Sequence, residues 1–144
     1  MVSLDRALVL RKLAELDSYL GQLAEFSEVS EEDYRSDWKT QRIIDRTLQL
    51  VIECCTDIAN HVISAKRLPV PTSYENAFAV LGEAGLLPSE LAETMGRIAR
   101  FRNVLGHQYT AVDSRIVVSV LRTGTGDLHA YREAVLSWCG REAQ

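Results

Sequence analysis

Over the first 26 positions Leu4, Leu8, Leu13, Leu16, Leu20 and Leu23 recur at steps of three to five. That spacing lines one face of a helix and predicts a first amphipathic helix over 4–26. An acidic run from Glu28 to Asp33 follows, with Ser30 placed to cap a short helical turn or the start of the next helix. From about Asp37 or Trp38 to Lys66, the apolar residues Ile44, Leu48, Val51, Ile52, Cys55, Ile58, Ala59, Val62 and Ile63 make a wide face. They predict the longest helix of the chain, ended by Pro69 and Pro71. On its other side Glu53, Asp57, Asn60, His61 and Ser64 stand three and four apart, so several share a face.

Thr72-Ser73-Tyr74-Glu75 has the capping-box form and predicts a third helix from about Ser73 to Gly85. Pro88-Ser89-Glu90 opens a fourth, carrying Leu91, Met95, Ile98, Ala99, Phe101 or Arg102, and Leu105 down to Gly106. Asp113 caps a fifth through Leu121. Ile116 to Val120 is β-branched enough for a strand, but with no second strand to pair with it the helix is retained. Gly124 and Gly126 predict a loop, and Asp127 starts a last helix reaching Trp138. The expectation is all-α: one domain over residues 1–144, an up-and-down bundle of about five to six helices.

Composition leaves that picture intact. With 144 residues, 47% apolar and 25% charged, the chain suits a single sizeable core. Its net charge of −4 argues against broad wrapping of nucleic acid, which relies on Lys and Arg neutralising phosphates. The charge is uneven, however: residues 1–94 carry 9 basic and 16 acidic side chains (−7), residues 95–125 carry 5 and 1 (+4), and residues 126–144 carry 2 and 3 (−1). The basic stretch, Arg97, Arg100, Arg102, Arg115 and Arg122, reads either as a local anion site or as solvated helix arginines. Cys54, Cys55 and Cys139 fit neither a disulfide framework nor metal-ligand spacing, which implies a reducing, cytoplasmic setting. Charges at Asp5, Arg6, Arg11 and Lys12 break any signal-peptide core, and nothing is apolar enough to span a bilayer.

The candidate chemistry lies in Arg102-Asn103-Val104-Leu105-Gly106-His107-Gln108-Tyr109, inside the basic stretch. On a continuous helix residues five apart sit about 140° around the axis, so Arg102 and His107 would diverge. A stop at Gly106 lets His107 leave the helix and swing back towards Arg102. A guanidinium and an imidazole on one small volume suit phosphodiester chemistry, the first holding phosphate charge and the second moving a proton. RNA brings its own nucleophile, the 2′-hydroxyl, so neither metal nor cofactor is needed. A second proton-transfer group is missing, and a two-fold dimer would bring a second His107 to the same cleft.

This string, with four residues between Arg and His and one between His and Tyr, resembles the signature of HEPN-domain ribonuclease toxins of the HepT type. Arg46 to Ile63 is similar to that family's second helix, Pro71 to Leu81 to its short third helix, and the pattern from Val112 also fits, so the likeness runs from about residue 37. The resemblance implies an all-helical homodimer, sometimes assembled further, acting as the toxin of a type VII-like toxin-antitoxin system. It implies a metal-independent endoribonuclease with RNA as substrate and a minimal nucleotidyltransferase as antitoxin. Arg102 and His107 match the catalytic pair, Asn103 the polar neighbour, and Tyr109 the tyrosine that the antitoxin adenylylates. The competing reading is a non-catalytic module that binds a nucleotide or docks a nucleotidyltransferase. Asp57, Asn60 and His61 read as a buried hydrogen-bonded set, a dimer contact, or support beside the motif. His129 reads as exposed, and Trp38 and Trp138 as core or interface anchors.

Overall fold

Helix α3 (Trp38–Ala65) is the element on which the others pack, because its apolar stripe from Ile44 to Ile63 is buried along almost its whole length. The computed structural model describes residues 4–106 and 112–142, and every regular element among them is helical. Helix α1 (Arg6–Ala24) precedes α3, with the short α2 (Glu31–Ser36) between them. After α3 come α4 (Tyr74–Glu83), α5 (Ser89–Arg100), α6 (Arg102–Gly106), α7 (Ser114–Ser119), a wide π turn at Val120–Gly124, and α8 (Thr125–Glu142). Counting α5 with α6, and α7 with the π turn and α8, as nearly continuous rods gives six among the described residues. That is within the expected five to six but divided differently: α2 is a helix of its own, and the expected fifth and last helices form one rod. None of the described helices is long and apolar enough to cross a membrane.

Side-chain pairings set the helix directions. The Asp5 N–H donates to His61 Nε2 (3.0 Å) and Lys12 pairs with Asp57 (3.3 Å), so advancing along α1 means going back along α3. Helices α4 and α5 are likewise antiparallel. Arg100 meets Glu75 at one end (2.6 Å), and at the other a Cβ placed on Gly82 would lie 2.8 Å from that of Ala92. Glycine at 82 is what permits this close approach. Helix α8 closes the bundle on α1 through Arg132 and Asp17 (2.5 Å). At the centre Tyr131 stands edge-on to Phe78 (centroids 5.5 Å apart) and Trp138 (6.5 Å), and its buried hydroxyl donates to the Cys55 carbonyl at 2.8 Å.

Several expectations are corrected. The fourth helix is not continuous to Gly106: Phe101 donates its N–H to Ile98, only three residues back (3.1 Å), and buries its ring, so the chain re-enters a helix at Arg102. No loop forms at Gly124 and Gly126. The Thr125 N–H reaches the Val120 carbonyl, five residues back, and Gly124 is buried inside this turn, where a Cβ would press on the Val120 side chain at 3.2 Å. The helix therefore widens instead of stopping. The cap of α4 is shifted by one residue: Ser73 Oγ accepts from the Asn76 N–H and Asn76 Oδ1 accepts from the Thr72 N–H (both 3.0 Å), which leaves Glu75 for Arg100. Trp38, at the first position of α3, is 58% exposed with Arg42 and Lys39 over its ring, whereas Trp138 is core.

Candidate functional site

The turn at Phe101 points Arg102 back towards α3 and the start of α4. Its Nη2 donates to Glu53 Oε1 at 3.1 Å, and its guanidinium carbon lies 4.6 Å from the centroid of the Tyr74 ring. Gln49, one turn before Glu53, approaches the same carboxylate oxygen (3.4 Å). Arg102 is thus gripped by an opposite charge on one side and an aromatic face on the other, with about a quarter of its side chain exposed. Its Nε is buried and has no hydrogen-bond partner among the described residues. The cluster joins residues 49, 53, 74 and 102, which only the packing of α6 and α4 on α3 brings together.

Asn103, next in α6, is exposed. His107 and Tyr109 lie outside the described residues, so the expected swing of His107 past Gly106 is not among the described features. Asp57 and His61 are turned to α1, where Lys12 and the Asp5 N–H occupy them, and Asn60 is exposed beside Tyr74 and Ser73. The strip is therefore not a buried set. The member of that helix face that meets Arg102 is Glu53, one turn before Asp57. The helical spacing puts Glu53 in the strip but carries no signal that joins Glu53 or Tyr74 to the motif, because both contacts with Arg102 arise from helix packing. His129 is exposed.

The basic stretch looks different in space. Arg97 pairs with Glu93 (3.6 Å), Arg100 with Glu75 (2.6 Å), Arg102 with Glu53 (3.1 Å) and Arg115 with Asp113 (3.1 Å), while Arg122 caps the Val29 carbonyl (3.3 Å). Its charge is largely balanced by acids, Glu93 and Asp113 close by along the chain and Glu53 and Glu75 from the other helices α3 and α4. Hydrogen bonds from Arg115 lower the Asp113 carboxyl below its ordinary range, and the same contact raises Arg115. Beside this row a groove of about 830 Å³ runs between α5 and α6 on one side and α7 and the π turn on the other. Ile98, Phe101, Val104, Ile116 and Val120 give it an apolar floor, and Ile116 is 46% exposed. Among the described residues no group of three His, Cys, Asp or Glu side chains converges as a metal ion would require. Burial, and then the nearby Glu15, push the Cys54 thiol up to about 12, and burial raises Cys55 as well.

Comparison with known proteins adds to this geometry. A family model described as ribonuclease HepT-like matches residues 16–135. The chain is 33% identical over 115 residues to a tRNA nuclease HepT of Aphanizomenon flos-aquae, covering 78% of this chain and 77% of that one. It is 26% identical over 102 residues to an mRNA nuclease HepT of Shewanella oneidensis, covering 71% and 77%. Among solved structures, the tri-AMPylated HEPN toxin of Shewanella oneidensis in complex with an MNT antitoxin superposes with a TM-score of 0.81, at 22% identity, over 90% of this chain and 96% of that one.

Proposed function

The chain belongs to the ribonuclease HepT-like family, and from that premise we infer that it is the toxin of a toxin-antitoxin pair, an endoribonuclease that cuts RNA without a metal ion. The observation that carries the reading is Arg102, the arginine of the family motif, held between Glu53 and Tyr74 with about a quarter of its side chain exposed. In the reaction the 2′-oxygen of one nucleotide attacks the adjacent phosphorus and the 5′-oxygen of the next departs. Arg102 directs N–H donors at the phosphate oxygens and balances the charge that grows on them. His107 moves a proton, and Asn103 stands beside the phosphate as a polar contact.

The protein works as a homodimer in the cytoplasm, each chain a single domain over residues 1–144. The apolar groove with exposed Ile116, next to the site, supports the dimer, and the buried free thiols Cys54 and Cys55 support a reducing compartment. Its antitoxin is a nucleotidyltransferase that adenylylates Tyr109. Phosphates added there bring negative charge and bulk to the place where RNA phosphate must sit, and they occupy the arginine by competition.

The purified chain should cut single-stranded RNA in the presence of a chelator, and Arg102→Ala and His107→Ala should each lower kcat/KM by about 100-fold or more. Cleavage unchanged in both variants overturns the assignment. Incubation with the nucleotidyltransferase and ATP should add adenylate at Tyr109 by mass spectrometry; an unmodified Tyr109 removes that part of the reading.

A further inference from the structure

In-line cleavage of RNA needs one group to take the 2′-hydroxyl proton and another to give a proton to the departing 5′-oxygen, whereas the Arg-His motif holds only one group that titrates near neutrality. We propose that Glu53 is the catalytic base of this reaction, taking the 2′-hydroxyl proton, and that His107 is left to act as the acid. The inference rests on the ribonuclease reading above and names the second proton-transfer group within the same chain, in place of the second His107 that a two-fold dimer was expected to bring.

Three observations carry it. Glu53 is the carboxylate that touches the motif arginine, at 3.1 Å. Both of its hydrogen bonds, from Arg102 Nη2 and Gln49 Nε2, fall on Oε1, so Oε2 has no hydrogen bond among the described residues. About a third of the Glu53 side chain is exposed, so the residue is not sealed inside the bundle. A phosphate held on the remaining donors of Arg102 stands beside the same guanidinium as Glu53. The 2′-oxygen and the scissile phosphorus belong to one nucleotide and lie roughly 3 to 3.5 Å apart when ready to react. A phosphate on Arg102 therefore brings the adjacent 2′-hydroxyl close to the Glu53 carboxylate. Asp57, the next acid along α3, is drawn away to Lys12, and Tyr74 offers Arg102 its ring face, so Glu53 is the carboxylate at this point.

The step balances. The 2′-O–H bond breaks with its proton going to Glu53, the 2′-O–P bond forms, the P–O5′ bond breaks, and the 5′-oxygen takes a proton from His107. The products are a 2′,3′-cyclic phosphate and a 5′-hydroxyl, and a later proton exchange with water resets both groups.

The test compares Glu53→Gln with His107→Ala on two substrates, ordinary RNA and RNA whose scissile 5′-oxygen is replaced by sulfur, a leaving group that needs no acid. Glutamine keeps an acceptor for Arg102 and removes only the charge. On ordinary RNA both variants should fall by about 100- to 10,000-fold in kcat/KM. With the sulfur leaving group, His107→Ala should recover to within about tenfold of wild type, while Glu53→Gln stays low and loses the acid limb of its pH-rate profile. Glu53→Gln that cuts RNA within about threefold of wild type, that recovers on the sulfur substrate, or that keeps the wild-type acid limb overturns the proposal. In the last case Glu53 merely positions Arg102. A wild-type chain that cuts neither substrate overturns the ribonuclease reading itself, and circular dichroism of each variant separates lost chemistry from lost fold.

Discussion

Replacing Tyr74 asks whether its ring positions Arg102. The guanidinium carbon lies 4.6 Å from the ring centroid, and Tyr74 is 43% exposed. Contacts of this kind are worth about 0.5–1 kcal/mol at exposed sites and about 2 kcal/mol or more when desolvated, so the lower figure applies here. Tyr74→Leu keeps an apolar side chain but removes the aromatic face. With about 1.4 kcal/mol to a factor of ten, the loss corresponds to a roughly two- to fivefold fall in kcat/KM for RNA cleavage. The fall is limited because the Glu53 ion pair still holds the other side of Arg102. Tyr74→Phe keeps the ring, and the tyrosine hydroxyl makes no hydrogen bond among the described residues, so phenylalanine should stay within about twofold of wild type by the same conversion. Steady-state kinetics on a defined RNA, with thermal melting as a control, read both variants. Leucine matching phenylalanine at wild-type rate, or phenylalanine losing as much as leucine, would refute the reasoning. So would a Tyr74→Leu effect that persists undiminished in the Arg102→Ala background, because coupled residues should not add.

Three further outcomes follow from the packing. Tyr131→Phe removes a buried hydrogen bond of 2.8 Å to the Cys55 carbonyl and should cost about 1–2 kcal/mol, read as a Tm lower by roughly 2–8 °C, and no change in Tm would contradict the bond's role. Cys54 has its thiol raised, so its contribution to stability is full below the unfolded-state value of 9.0 and is lost as pH rises towards about 12. Denaturant midpoints should fall over that window and fall less in Cys54→Ala, and native Cys54 should resist alkylation at pH 8 until the chain unfolds; rapid native labelling would contradict its burial. Ile116→Glu places a charge in the apolar groove beside α5 and α6 and should shift a dimer to monomer in sedimentation, while an unchanged dimer would put the interface elsewhere.

What the sequence made legible was mostly local. Ser30, Ser73 and Asp113 each cap a helix as their side chains allow, and the apolar steps along α1 and α3 mark the buried faces. The β-branched run from Ile116 is helical because Val117 and Val118 find a helical core to fill. Gly124 misled because a glycine inside a wide helical turn and a glycine in a loop look alike until Val120 is seen packed against it. The site was legible as a motif but not as a cluster. Glu53 and Tyr74 lie 49 and 28 positions before Arg102, a relation that depends on how three helices cross, and the clustered arginines gave no hint that Glu53 and Glu75 would arrive to pair with them. A charge tally along one dimension cannot see partners that come from another helix.

The central claim is that RNA supplies its own nucleophile at the Arg102 site. Its most direct test is an RNA with a single 2′-deoxy nucleotide on the 5′ side of the mapped cleavage position, incubated with the protein and chelator. The account predicts that cutting there stops, while the all-ribo RNA yields a 2′,3′-cyclic phosphate and a 5′-hydroxyl. Cleavage that continues at the deoxy position, or fragments ending in a free 3′-hydroxyl, would contradict it.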